Sequence, residues 1–111
     1  MYRKICEKYG KDYMLRQLAE ECCELSQAAL KLIRAQKGET EVDANEALEG
    51  LIEEIADVLN CMDAVDECLL SSVASCEIEY VMEHKRRRWA ARMLGEEAVH
   101  EPCDSDRKSG K

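Results

Sequence analysis

The sequence predicts an all-α protein: a helical bundle of antiparallel helices completed by oligomerisation. Three observations lead there. One Pro and five Gly in 111 residues, with runs rich in Ala, Leu, Glu, Lys and Arg, favour helix over strand. Apolar residues recur at spacings of three and four, and no segment alternates as a half-buried strand would. Two of the long segments also carry an apolar arc beyond the one that faces a core. These arcs are Ala19, Cys23, Leu30 and Ile33 on one, and Leu48, Ile52, Ala56 and Leu59 on the other. A chain of this length buries a modest core and gains from a partner subunit.

The elements follow the punctuation of the chain. "YRKICEKY" is a short helical lead-in that stops near Gly10, and Asp12 is placed to cap a long helix running to about Gln36. "KGETEVDAN" is a polar loop closing at Asn45, the expected N-cap of a helix from about Glu46 to Leu69. "SSVAS" marks a break before a third long helix, about Val73 to Leu94. Residues 1–94 form the expected domain. The tail 95–111, with the one Pro and no apolar periodicity, is expected to be disordered.

Charge and cysteine content exclude several classes. The net charge is −8, and between Lys37 and Lys85 there is no Lys or Arg, while fourteen Asp and Glu fall from Glu39 to Glu83. Such a field repels nucleic acid and anionic membrane and attracts cations. No stretch is apolar enough to span a bilayer, and "MYRKICEKYG" lacks the apolar segment of a signal peptide, so a cytoplasmic protein is expected. Seven cysteines without a CxxC pair and its matching second pair argue against structural zinc. They are expected to be reduced and to behave as small hydrophobes.

The chemistry-bearing signal is acidic. "LAEECCELSQAALKLIRA" sets Glu20, Glu21 and Glu24 between apolar turns, and "LIEEIADVLN" repeats the arrangement with Glu53, Glu54 and Asp57. On the first helix, Met14, Leu18, Cys22, Leu25, Ala29 and Leu32 make the expected core stripe, bordered by Glu21, Glu24, Ala28 and Lys31. On the second, Ala47, Leu51, Val58, Met62, Val65 and Leu69 make the stripe, bordered by Gly50, Glu54, Asp57, Cys61 and Ala64. Like charges three or four apart on one face repel. The small border residues would let another helix or a ligand approach closely, so the two acidic borders can face each other, and a hard divalent cation, Mg²⁺ in particular, would relieve the repulsion. A single ExxE is more often a solvated face; two matching clusters on the borders of apolar stripes favour the metal.

These residues resemble a known family. "EECCE" followed by "EIAD" is similar to the EExxE…ExxD signature of the all-α nucleoside triphosphate pyrophosphohydrolases, the MazG-like and dimeric dUTPase-type enzymes, over about Tyr9 to Arg92. The resemblance implies Mg²⁺ ligands at Glu21, Glu24, Glu54 and Asp57, with Mn²⁺ as an alternative ion. It assigns Glu20 and Glu53 to a second ion or to orienting the attacking water. It also implies cleavage of a nucleoside triphosphate to monophosphate and pyrophosphate, in a homodimer or homotetramer. One departure bears on base recognition: the Gln that relatives often carry before the first glutamate falls at Met14 here, with Gln17 nearby.

Around this core lie the substrate-binding candidates. Lys31 shares the metal-lined border of its helix, and Asn60 follows Asp57 by three residues, within reach of a sugar or base. In "EHKRRRWAARM", Ile78, Met82 and Trp89 suggest the inward side. Lys85, Arg88 and Arg92 follow that side, so Lys85 and Arg88 are expected on the phosphates and Arg86 and Arg87 in solvent. His84 is expected to be solvated or capping, and Tyr13 and Trp89 to pack in a core or interface. A di-iron bundle is a poor fit, because the one ExxH, Glu97 to His100, falls in the tail. The rival class is a non-enzymatic, or inactive nucleotide-binding, helical interaction module, which would release no pyrophosphate.

Overall fold

The computed structural model describes residues 1–70 and 72–95. The described residues form four α-helices and no strand: α1 (Tyr2–Tyr9), α2 (Lys11–Gln36), α3 (Ala44–Leu69) and α4 (Ser72–Leu94). Two compact units divide at Leu70 and Ser71, the first holding α1 to α3 and the second α4. Residues 96–111, where the tail, Cys103 and the ExxH pair fall, lie outside the described part.

Local chemistry sets the boundaries. Gly10 joins α1 to α2 at φ 93° and ψ 165°, backbone that a side chain would strain. Gly10, and not Asp12, is therefore the residue that opens α2; Asp12 sits in the first turn, where a carboxylate suits the positive end of the helix. At the other end Gly38 takes φ 72°. Its N–H bonds to the Ala35 carbonyl at 3.2 Å and that of Glu39 to Arg34 at 2.9 Å, the paired bonds of a Schellman stop. The cap of α3 is Asp43 rather than Asn45: one carboxylate oxygen accepts from Asn45 N at 3.0 Å and Glu46 N at 3.3 Å. Both residue types cap well, and the acid also meets the helix dipole. The final break is shorter than "SSVAS" suggests, since α4 already includes Ser72 to Ser75.

The first unit is organised by α2 against α3. Met14 and Gln17 lie beside Cys61 and Ala64, Glu24 beside Glu54, and Ala28 and Lys31 beside Ala47 and Gly50, so the two helices run in opposite directions. Buried apolar side chains are few: Met14, Ala47, Val58 and Ala64. The inward line of α2 is Met14, Leu18, Glu21, Leu25, Ala28 and Leu32, and that of α3 is Ala47, Leu51, Glu54, Val58, Cys61 and Val65. Cys22 and Ala29 are exposed and Met62 is 50% exposed, against the expected core stripes. The stripes keep their period but turn by one residue in the middle, where acids face acids. α1 crosses this pair at one end, and its Arg3 Nη2 donates to the Glu67 carbonyl at 3.5 Å. The second arcs stay uncovered, with Leu30, Ile33, Leu48, Ile52 and Leu59 all exposed.

In the second unit α4 has no apolar side. Ile78, Met82 and Trp89 are exposed, not inward; the more sheltered positions include Glu83, His84, Arg87 and Ala90. Apolar residues are spread around this helix, so phase alone could not locate its covered face.

Candidate metal centre

The half-buried middle of the α2–α3 contact holds the acidic residues. Glu21 from α2 and Glu54 and Asp57 from α3 each offer a carboxylate oxygen within 4.8 Å of the others. Glu24, exposed one turn from Glu21, shares a hydrogen bond with Glu54. All four expected ligands are thus brought together, three in one group and the fourth against it. Glu20 and Glu53 are exposed on the outer edges and act on the group through their charges.

The electrostatics follow from enclosure. Oε1 of Glu21 and Oε1 of Glu54 are shut off from solvent with no hydrogen-bond partner. Burial, then the charges of Glu24, Asp57, Glu54 and Glu20, raise the Glu21 carboxyl above its ordinary 4.5. Burial likewise raises Glu54, followed by the charges of Glu24 and Asp57, the hydrogen bond to Glu24 and the charge of Glu53. An enclosed carboxylate oxygen without a donor is costly. A cation would satisfy both oxygens at once. The donor set is all oxygen, as hard divalent ions require, and opposite ligands in a shell of about 2.0–2.6 Å radius lie about 4–5 Å apart. These residues therefore fit such an ion.

Two cavities flank the cluster. One, of about 520 Å³, is lined by Glu24, Gln27, Ala28, Lys31, Val42, Glu46, Ala47, Gly50 and Glu54. That size falls in the range of small-molecule sites. Among the described residues, Lys31 is the one cation on its wall. Gly50 was expected to permit close approach of a helix or a ligand; a Cβ there would meet nothing within 4 Å, and the missing side chain opens the cavity. The other cavity, about 170 Å³ and mostly apolar, is lined by Tyr2, Ile5, Tyr13, Met14, Gln17, Asn60, Cys61 and Ala64. Asn60 and Gln17 thus meet beside Tyr13, whose ring stacks on Tyr9 at 4.8 Å between centroids.

Glu46, Gln27 and Val42 were missed as cavity residues. Glu46 was detectable, since it precedes Gly50 and Glu54 by one and two turns on one face. Gln27 likewise bridges Glu24 and Lys31. Val42 gives no periodic signal: it reaches the wall from a loop in which its N–H bonds to Thr40 Oγ1 at 3.2 Å.

On α4, Lys85 and Arg88 share a groove of about 560 Å³ with Met82, Arg86, Trp89 and Arg92. They belong to the second unit. Arg86 pairs with Glu83, while Arg87, expected in solvent, is a sheltered partner of Glu83 at 3.9 Å with its side chain 10% exposed. His84 is not solvated either: its ring lies 4.5 Å from that of Tyr80 and its Nε2 is enclosed.

Comparison of the chain with family models, with curated proteins and with solved structures finds no match in any of the three. Among the described residues no helix is long and apolar enough to cross a membrane.

Proposed function

We propose that the protein is a Mg²⁺-dependent nucleoside triphosphate pyrophosphohydrolase of the MazG-like kind, releasing nucleoside monophosphate and pyrophosphate. The observation that carries this reading is the pair of enclosed, unpartnered oxygens, Glu21 Oε1 and Glu54 Oε1, in one group with Asp57 and beside an open cavity. Glu21, Glu24, Glu54 and Asp57 would hold Mg²⁺ or Mn²⁺. When bound, such an ion neutralises triphosphate oxygens and makes water acidic enough to supply hydroxide near neutral pH. Glu20 and Glu53, outside the ligand group, would orient the attacking water or hold a second ion. Lys31 contributes a point charge to the phosphates. Asn60, with Gln17 and Tyr13, offers amide and ring surface to a base or sugar in the smaller cavity. Lys85 and Arg88, which share the groove on α4, are the phosphate-binding candidates of the second unit, the guanidinium by gripping two oxygens.

The reading includes a cytoplasmic homodimer or homotetramer whose helices complete an antiparallel bundle. Its support is the exposure of Leu30, Ile33, Leu48, Ile52 and Leu59 over so small a core. The same exposure favours the second reading, a non-enzymatic or catalytically inactive interaction module. Pyrophosphate release from a panel of nucleoside triphosphates, with and without Mg²⁺, separates the two. The enzyme produces it only with the ion, and the module in neither case.

A further inference from the structure

Apart from the acidic cluster, thiols also approach one another across helices among the described residues, Cys22 with Cys61 and Cys6 with Cys68. Cys6 of α1 and Cys68 of α3 line a single cavity of about 280 Å³ with Arg3, Glu7, Gly10 and Lys11. Both residues are half-buried and both are free thiols. The bond from Arg3 to the Glu67 carbonyl holds α1 along this end of α3. We propose that Cys6 and Cys68 are a redox-active dithiol, which a low-molecular-weight disulfide such as oxidised glutathione converts to an intramolecular disulfide that fastens α1 to α3.

The surroundings suit the reaction. The two thiols face one cavity and lie close enough for each to act on the other, the proximity that a disulfide of about 2.05 Å requires. Arg3 and Lys11 on the cavity wall attract an anionic reagent such as glutathione disulfide. Burial, then the charge of Cys6, push the Cys68 thiol up. The Cys6 thiolate attacks one sulfur of the small disulfide, forming a mixed disulfide and releasing one small thiolate. The Cys68 sulfur, losing its proton to water, then attacks the Cys6 sulfur, and the second small thiolate leaves. Two protein thiols give up two electrons and two protons, and one small disulfide becomes two thiols.

The bond would matter because α1 is weakly held. It has eight residues and none of them is buried, and a helix that short does not persist on its own. Yet its Tyr2 and Ile5 wall the small cavity that contains Gln17 and Asn60. Oxidation therefore fastens covalently a wall that only non-covalent contacts hold in the reduced chain. An effect on turnover rests on the pyrophosphohydrolase reading; the crosslink does not.

The test equilibrates the reduced full chain with glutathione buffers of rising oxidised fraction, followed by alkylation, peptide mapping and thermal melts. The expected result is a linked Cys6–Cys68 peptide, two alkylation sites lost, and a melting temperature raised on the order of 10 °C, all reversed by dithiothreitol. Cys6→Ser loses the linkage and the shift, while Cys23→Ser keeps both. Should Cys68→Ser or Cys68→Ala fold poorly, Cys6→Ser still decides. Linkage to other cysteines, linkage between chains, or oxidation that stops at mixed disulfides with glutathione would each overturn the proposal.

Discussion

The ends and the middle of the α2–α3 contact are built on one periodicity and do opposite things. Towards the ends Met14 and Ala64, and Ala47 near Ala28, bury apolar surface to about one-twentieth of its free exposure. In the middle the same inward line carries Glu21 and Glu54, each with an oxygen enclosed and unpartnered. The ends are what folding alone would select. The middle opposes folding until something positive occupies it, and in a unit with so few buried side chains that opposition is not incidental. A helix pair can therefore pack and present a site along one stripe, provided the apolar ends outweigh the acidic centre.

The largest effect is expected from breaking the middle. Glu21→Gln or Asp57→Asn should lower Mg²⁺-dependent turnover by about 10²-fold or more, in line with the loss of a group that stabilises transition-state charge. The same variants should leave the metal-free fold intact or firmer, because each removes a charge from a crowded cluster. Steady-state pyrophosphate release, with thermal melts in EDTA, checks both halves. Turnover that survives either substitution sinks the ligand assignment.

Breaking an end should do the reverse. Met14 is 5% exposed, and Met14→Ala should cost about 2–5 kcal/mol through lost burial and the cavity left behind. Denaturant titration reads this directly. With a core this small, even the lower part of that range is a large fraction of the total stability.

A gentler probe of the comparison is pH. The Glu21 and Glu54 carboxyls lie above 4.5 in the folded chain, so above that pH the folded state binds more protons than the unfolded one. Stability then falls as pH rises from about 4.5 through the raised folded values, and levels off beyond them. Mg²⁺ should recover the loss, raising the melting temperature more at pH 7 than at pH 4.5. A slope of the opposite sign in wild type, or an unchanged slope in Glu21→Gln, would show that these two groups are not its source.

Physics other than periodicity decided several positions. The ends of the long helices at Gln36, Leu69 and Leu94 were legible, as was the convergence of Glu21, Glu24, Glu54 and Asp57. Cys22 and Met62 were misplaced because the more apolar of two neighbouring positions is the natural choice for a core line, and Ala29 because its neighbour Ala28 is the same residue and spacing alone did not separate them. Here the acid at Glu21 and the small residues at Ala28 and Cys61 took that line instead. Asp43 and Asn45 are both good caps two residues apart, and the dipole's preference for a carboxylate decides between them. On α4 the apolar residues point all round the helix, so neither the exposure of Trp89 nor the shelter of Arg87 could be read from spacing.

The smallest effect tests which side of the comparison Gly50 belongs to. A glycine in a helix interior costs about 0.5–1 kcal/mol relative to alanine, and neither usual reason for tolerating it applies. Its φ is not positive, and an added Cβ would touch nothing within 4 Å. What it does is line the cavity, one turn from Glu46 and one turn from Glu54. Gly50→Ala should therefore stabilise the protein by about 0.5–1 kcal/mol while leaving KM for the triphosphate nearly unchanged, since one methyl scarcely enters the space. Gly50→Leu should keep the stability gain, because the helix accepts leucine readily, but raise KM by roughly 10-fold or more as the side chain fills the cavity. Chemical denaturation and steady-state kinetics on the same two proteins separate the cases. If Gly50→Leu proves stable and kinetically silent, substrate does not enter beside Glu54, and the opening at Gly50 has no part in binding.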